Sequence, residues 1–162
     1  MATVRDELAI EAAVFDATAP PGLALVNSAA ELLFNDTTAE TCYWRRLMPS
    51  NYVGTLKVVV QFTMASDTNT AHTVEFTALL MAVTPADAAD LDTDSYDAAN
   101  AANTTILGTA GYMKELSITM TNADGVAAGD WVKVKLTRTV DGTDDATGDC
   151  EVRGVALEYA DA

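Results

Sequence analysis

Strict alternation of apolar residues between residues 56 and 64 constrains the fold of this chain more than any other feature. Lys57, Gln61 and Thr63 lie between the members of the alternating set, which consists of Leu56, Val58, Val60, Phe62 and Met64. A helix cannot place such a series on one face, whereas a strand with a period of two residues does. The stretch therefore predicts a long β-strand with one buried face.

The same alternation returns in two later segments. Residues 74–82 and 132–136 repeat it, with inward sets of Val74, Phe76, Ala78, Leu80 and Ala82 and of Val132, Val134 and Leu136. Segments 56–64 and 74–82 are predicted to be two long neighbouring strands, separated by a turn rich in Asp, Asn and Thr. Each is long enough to run the full length of one sheet in a two-sheet domain.

The last third of the chain reads as a β-hairpin. Two β-patterned runs in residues 129–159 flank a loop built largely from Asp, Thr and Gly. In the second run, Val152 has one parity, whereas Val155, Leu157 and Tyr159 have the other. Gly154 stands between them, where a β-bulge would reset the side-chain phase.

Counting these segments with the shorter apolar runs gives about eight strands and no strong internal helix. The predicted fold class is all-β, a two-sheet antiparallel β-sandwich of jelly-roll type, with an immunoglobulin-like sandwich as the alternative. We expect a single sandwich domain over residues 23–162 that carries an acidic loop at residues 85–103. Residues 1–22 are predicted to form an N-terminal arm or a first strand.

The charge of the chain limits its partners. Nine basic and 24 acidic residues give a net charge of −15, which repels phosphate backbones and anionic lipid surfaces. We therefore expect neither nucleic-acid nor membrane binding. The first residues carry charges and lack a continuous apolar stretch, so we expect no signal peptide and assembly in the cytoplasm. Cys42 and Cys150 lack CxxC spacing and are expected to be free thiols rather than a disulfide.

Few residues are candidates for catalysis or for metal binding. His72 is the only histidine, and neither a nucleophile-elbow motif nor zinc-ligand spacing accompanies it, so we predict no enzyme. Calcium is the one cofactor worth weighing, because a hard cation needs several oxygen ligands. Its candidate ligands share one loop and are Asp141, Asp144, Asp145 and Asp149. Solvated turns are the preferred interpretation of that loop.

Aromatic residues are the candidate interface. Trp131 has the parity opposite to the inward Val132 and Val134, so its side chain is predicted to face outward, under a loop, at an interface or against a sugar. Tyr43, Trp44 and Tyr52 are the other candidates.

Two regions resemble small virion proteins of tailed bacteriophages. The first is the run WRRLMPSNY at residues 44–52 with Gly54 and the alternating strand after it. The second combines Gly129-Asp130, Arg138, an Asp-rich turn, Gly148-Asp149 and a closing strand that ends in Leu157-Glu158-Tyr159. The resemblance covers roughly residues 41–82 and 129–159.

This resemblance implies a jelly-roll homotrimer on the virion exterior. One role is a capsid cement (decoration) protein that binds the major capsid protein and stabilises capsomer contacts. The alternative is the head domain of a tail fibre or spike that recognises host glycans. The cement role predicts that neighbouring subunits bury an outward Trp and an apolar patch and that an N-terminal segment reaches across the particle. The glycan role predicts an exposed aromatic ring beside converging polar groups in a concave loop region.

Overall fold

Two antiparallel β-sheets packed face to face form the protein, and the computed structural model describes residues 1–162. The predicted two-sheet sandwich is confirmed, with eleven strands rather than about eight, because short strands lacking clear alternation form near the N-terminus. The strands are β1 (Thr3–Glu7), β2 (Val14–Phe15), β3 (Gly22–Val26), β4 (Ala29–Phe34), β5 (Glu40–Leu47), β6 (Tyr52–Met64), β7 (Thr73–Val83), β8 (Asn100–Thr105), β9 (Lys114–Thr119), β10 (Trp131–Arg138) and β11 (Cys150–Asp161). A three-residue 3-10 helix, Ile10–Ala12, is the only helical element.

Sheet A has the order β3-β4-β11-β6-β9, and β1 also pairs with β11. Sheet B has the order β2-β5-β10-β7-β8. The chain crosses between the sheets from β6 in sheet A to β7 in sheet B and from β10 in sheet B to β11 in sheet A, whereas β7 and β10 pair within sheet B. This arrangement places β2, β5 and β10 side by side at one end of sheet B.

Two strand pairings expected from the sequence are wrong. β10 and β11 do not form a hairpin, and β6 does not pair with β7, because in each case the connecting loop crosses from one sheet to the other. The side chain of Arg138 holds the β10–β11 crossover, since it donates hydrogen bonds to the carbonyls of Phe34, Ala146 and Gly148. Long-range contacts thus determine the path of a loop whose composition resembles a hairpin turn.

The predicted inward faces are correct. Thirty buried hydrophobic residues form one core between the sheets, and the alternating residues of β6 and β10 belong to it. On β7 the alternating residues up to Leu80 are buried, and Ala82 packs against the core in a partly buried position. The register of β11 against β6 shifts between Val152 and Gly154, which confirms the predicted bulge. It keeps Val152, Val155 and Leu157 buried despite their difference in parity.

Residues 1–22 lie in the sandwich. β1 pairs with the end of β11, from Thr3 opposite Ala160 to Glu7 opposite Ala156, and β2 pairs with β5. The acidic loop is shorter than the predicted 85–103, because β8 begins at Asn100. This strand contains only Asn, Ala and Thr, so it carries no apolar alternation that the sequence could reveal.

The two cysteines and the only histidine lie in places that fit a structural role. Cys42 and Cys150 are free thiols buried in the core, where burial raises the pKa of each. His72 lies beside Asp67, with Nδ1 2.8 Å from Oδ2. As for membrane-spanning segments, no helix here has the length and apolar character to cross a bilayer.

Candidate functional site

A concave site lies at the β2 end of sheet B. β2 is only two residues long, and it pairs with β5 so that Val14 faces Tyr43 and Phe15 faces Cys42. This pairing forms a cleft of about 400 Å³, which we call the β2 cleft. Its lining consists of residues 14–17 together with Tyr43, Trp44, Arg45 and Lys133. Val14 and Phe15 remain 51% and 38% exposed, so the cleft presents apolar surface to solvent.

A hydrogen-bonded pair fixes one wall of the β2 cleft. The Tyr43 hydroxyl donates to Asp16 Oδ2 at 2.7 Å, and Asp16 Oδ1 accepts from the backbone N–H groups of Thr18 and Ala19. The bond from Tyr43 and those two N–H groups lower the pKa of Asp16. Burial, together with the same bond, raises the pKa of Tyr43 to about 12. Asp16 is therefore ionised at neutral pH, and its position is fixed.

Two aromatic rings hold the ammonium of Lys133, one of the residues that line the cleft. The Lys133 ammonium lies 5.4 Å from the centroid of the Tyr43 ring and 5.6 Å from that of Tyr96, and the two ring centroids are 6.3 Å apart. Such distances allow cation–π attraction to both rings. Tyr96 belongs to the acidic loop, so this contact also ties that loop to the outer face of sheet B. Lys133 is thereby held in a defined position within the cleft.

Cations on this face lack acidic partners. In the register of the sheet, Arg45 is directly opposite Lys133, and Lys135 is directly opposite Tyr43. No carboxylate oxygen lies within 4.0 Å of these three cations, whereas the basic residues that do form ion pairs are Arg5, Arg46, Lys57, Arg138 and Arg153. Arg45, Lys133 and Lys135 therefore form a small basic surface, limited to neighbouring positions of β5 and β10, on a strongly acidic protein.

Trp131 lies beside a second, shallower cleft. It is partly buried on the outer face, as its parity predicted, and is opposite Leu47 in the register. This cleft is lined by Trp131, Leu47, Arg45 and Arg46 and has a volume of about 360 Å³. Because Arg45 lines both clefts, the two sites adjoin, and Trp131 and Tyr43 lie along the same face.

Two predicted interface residues direct their side chains into the core. Trp44 is 1% exposed, and its indole N–H donates to the Ala9 carbonyl at 2.9 Å. Tyr52 is also buried, with its hydroxyl donating to the Gly54 carbonyl and its ring against Tyr159. Both side chains follow the inward parity of their strands, and they serve the core. Phe15 is the aromatic residue that sequence reasoning missed, because it lies in a two-residue strand with no periodic pattern.

The carboxylates considered for calcium have other partners. Asp144 pairs with Arg138, Asp145 accepts the backbone N–H of Thr73, and Asp141 accepts the N–H of Thr143 within its own loop. The last member of the predicted set, Asp149, does not complete a ligand cluster with them, since no three acidic, His or Cys side chains come together as metal ligands. The loop is organised by hydrogen bonds and by one buried ion pair.

Glu31 is a fully buried acidic residue, and catalytic carboxylates often lie in such surroundings. Burial raises its pKa, and Arg153 Nη1 bonds to its Oε1. Glu31 lines none of the five clefts on the protein. General acid catalysis needs the carboxyl group within reach of a substrate. The position of Glu31 therefore fits a structural role.

Comparisons with known proteins identify the fold. No family model matches the sequence. No curated protein matches it either. Among solved structures, a family 35 carbohydrate-binding module from Clostridium thermocellum is similar, with a TM-score of 0.55, 14% identity, and coverage of 99% of this chain and 100% of that one.

Other carbohydrate-binding modules are also among the similar structures. A family 35 module from Paenibacillus barcinonensis has a TM-score of 0.47 and 14% identity over 99% of this chain and 100% of that one. A family 11 module from Clostridium thermocellum, in complex with a mixed-linked tetrasaccharide, has a TM-score of 0.47 and 10% identity over 96% and 86%. At such identities, the first similarity shows a shared sandwich fold and nothing finer.

Proposed function

We propose that this chain is a glycan-recognition module without catalytic activity and that it binds sugar in the β2 cleft. One observation carries the proposal: Phe15, an exposed aromatic residue, lies in a concave site that also contains Asp16, Arg45 and Lys133. Ligand sites combine apolar walls with a few fixed polar groups in this manner. The glycan alternative expected such groups in a concave loop region, and the β2 cleft supports it with groups carried by β2, β5 and β10.

The chemistry of the cleft suits a sugar ring. A pyranose has an apolar face of C–H groups and a rim of hydroxyls, so it can pack against the Phe15 ring and Val14 while its hydroxyls meet polar groups. Arg45 and Lys133 are donors only, and the ionised Asp16 is an acceptor only. Asp16 and Lys133 are already held by Tyr43, so little ordering is required on binding.

The shared fold supports this proposal at a general level. The similar structure with a TM-score above 0.5 is a carbohydrate-binding module. Because one fold serves many functions, the location of the site rests on the residues of the β2 cleft and not on the similarity.

A glycan array with matched variants tests the proposal. Phe15→Ala removes the exposed ring from the cleft, and Tyr112→Ala removes a 65% exposed ring that lines none of the clefts. We expect the wild type and Tyr112→Ala to bind the same glycans, and Phe15→Ala to lose about tenfold or more in affinity. Absence of binding to every glycan, or unchanged binding by Phe15→Ala, would overturn the proposal.

Capsid decoration is a second candidate, and a different surface favours it. β3 is an edge strand of sheet A with the uncharged sequence GLALV, and its Leu23 and Leu25 are 57% and 78% exposed. An unprotected apolar edge is suited to burial by a neighbouring subunit, either the major capsid protein or a sister chain in a trimer. The resemblance to virion proteins supports this role on the capsid exterior.

The number of copies per particle separates the two virion roles. Quantitative mass spectrometry of purified particles should find hundreds of copies of a cement protein and only a handful of a fibre or spike head. High copy number would favour decoration, with β3 as its contact surface. A low number would favour a receptor-binding head that uses the β2 cleft, and absence from particles would exclude both virion roles.

A further inference from the structure

We propose that the glycan bound by the β2 cleft is acidic, namely a polysaccharide that carries carboxylate groups on its sugar rings; this inference rests on the proposed glycan-binding function. It comes from the three cations of the outer face of sheet B, Arg45, Lys133 and Lys135, none of which has a carboxylate within 4.0 Å. A neutral sugar does not require three such charges beside its ring.

The composition of the chain makes these free cations informative. The protein has 24 acidic and only nine basic residues, so a basic side chain has many potential partners. Five of the nine form ion pairs within the structure. The cations that do not are gathered on β5 and β10, except for Lys114, which bonds to the Thr105 carbonyl near the opposite end of sheet B. Their clustering leaves a basic surface that an external anion can neutralise.

The spacing of the cations matches a chain of charged sugars rather than a single ion. Arg45 and Lys133 are opposite each other on neighbouring strands, about 5 Å apart at their Cβ atoms. Lys133 and Lys135 are two residues apart on β10 and face the same side, about 7 Å apart. The three side chains therefore present donors along the sheet face, and two of them, Arg45 and Lys133, line the β2 cleft together with Phe15 and Val14, on which a ring can pack.

Charge density favours carboxylates over more highly charged polymers. The net charge of −15 opposes the approach of any polyanion, and the opposition grows with the charge that the polymer carries. One carboxylate on each sugar can be balanced by three cations, whereas a heavily sulfated chain brings more negative charge than this face can offset. The planar fork of Arg45 also accommodates a carboxylate in a bidentate pair.

One carboxylate of the protein, Asp16, lies in the cleft but forms no ion pair with the cations. Both oxygens of Asp16 are occupied, by the Tyr43 hydroxyl and by the N–H groups of Thr18 and Ala19. Its charge reduces the positive potential at one end of the β2 cleft. Because the charge of Lys135 acts on Asp16, whereas Arg45 and Lys133 line the cleft, these last two are the cations expected to contribute most to anion binding.

The test compares one polymer in two charge states. Isothermal titration calorimetry at low ionic strength measures binding of polygalacturonate, of the same polymer with its carboxylates reduced to alcohols, and of heparin. We expect the carboxylated polymer to bind about tenfold or more tightly than the reduced one, because charged hydrogen bonds contribute more than neutral ones. We expect its affinity to fall as salt is added, and heparin to bind more weakly.

Charge variants locate the effect. Arg45→Gln and Lys133→Gln should each weaken binding of the carboxylated polymer about fivefold to tenfold and weaken binding of the reduced polymer less, because only the carboxylated polymer loses a charged partner. Lys114→Gln removes the same charge outside the clefts and is expected to bind both polymers like the wild type.

The failure of this inference differs from the failure of glycan binding itself. Equal affinity for the two charge states, with Phe15→Ala weakening both, would overturn the acidic ligand while keeping the cleft as a sugar site. Tighter binding of heparin than of polygalacturonate would overturn the choice of carboxylates. Binding of no polymer would overturn this inference together with the proposed function.

Discussion

Arg138 and Asp144 form a bidentate ion pair inside the sandwich, with Nε–Oδ2 and Nη2–Oδ1 distances of 2.9 Å. Both side chains are almost completely buried. The remaining N–H groups of Arg138 donate to the carbonyls of Phe34, Ala146 and Gly148, so the five donors of the guanidinium are all used. The pair fixes the crossover between β10 and β11 and thereby joins the two sheets.

Asp144→Asn is expected to destabilise the fold strongly. The substitution preserves the shape of the side chain but leaves the buried charge of Arg138 without a counter-charge, which costs about 3–5 kcal/mol. Urea denaturation followed by circular dichroism measures the change. Glu115→Gln is the control, because its pair with Arg5 is solvent-exposed, and it should change stability far less. Equal effects of the two substitutions would contradict the role given to the buried pair.

Gly148→Ala is expected to destabilise the same crossover. Gly148 has a φ of +80°, and an added Cβ would lie 2.7 Å from Ser66 Oγ. The left-handed backbone alone costs about 1–2 kcal/mol for a residue with a Cβ. Gly142→Ala in the same loop meets open space at an ordinary φ and should change stability by less than about 0.5 kcal/mol. Thermal unfolding of both variants checks the difference, and Ser66→Ala should partly rescue Gly148→Ala by removing the contact.

Trp44 and Trp131 are expected to respond differently to truncation. Trp44→Ala removes a core side chain and its hydrogen bond to Ala9, at a cost of about 3–5 kcal/mol. Trp131→Ala removes a partly exposed ring and should cost less. Equilibrium unfolding separates the two. A loss of ligand binding in Trp44→Ala would therefore be explained by damage to the fold. A loss of binding in Trp131→Ala could be assigned to the missing ring, provided that the variant remains folded. Similar losses of stability would place Trp131 in the core.

The His72–Asp67 pair is expected to make stability depend on pH in two ranges. Burial opposes the ionisation of Asp67, but hydrogen bonds from the N–H of Asn69, from His72 and from the N–H of Thr147 outweigh it and lower the pKa to about 2. Its contribution to stability is present above the unfolded pKa near 3.8 and is lost as the pH falls toward about 2.

The hydrogen bond to Asp67 raises the pKa of His72 above its usual 6.5. The stability gained from protonated His72 is therefore complete below about pH 6.5 and is lost as the pH rises through the raised value. The difference in unfolding free energy between wild type and His72→Gln should be larger at about pH 5 than at about pH 8. Urea titrations at both pH values measure it. A difference independent of pH would show that the pair does not couple to folding.

The sequence predicts the parts of the fold that depend on local pattern. Alternation identified β6, β7 and β10 and their buried faces, and the change of parity around Gly154 identified the bulge. The sequence does not predict which strands pair, because an Asp-rich loop has the same composition whether it turns within one sheet or crosses to the other. The crossing loop is held by the hydrogen bond from Arg138 to the Phe34 carbonyl, a contact between residues 104 positions apart that the loop composition does not reveal.

The candidate site was only partly visible in the sequence. Trp131 lies on the outer face, as its parity predicted, and the candidate Tyr43 lies on the same face, whereas Trp44 and Tyr52 follow the inward parity of Cys42 and Leu56. Phe15 reaches the cleft through the pairing of β2 with β5, and two residues are too few to show a period. The basic surface could not be seen either, because it arises only when Arg45 and Lys133 meet across strands that are far apart in sequence.

The most direct test of the proposed site is NMR mapping of a labelled sample titrated with a short acidic oligosaccharide. The largest amide shift changes are expected at residues 14–17, 43–45 and 133–135, which line the β2 cleft and its basic surface. Changes concentrated instead around the cleft that includes Tyr52, Met120 and Val126, or no changes at saturating ligand, would contradict the account.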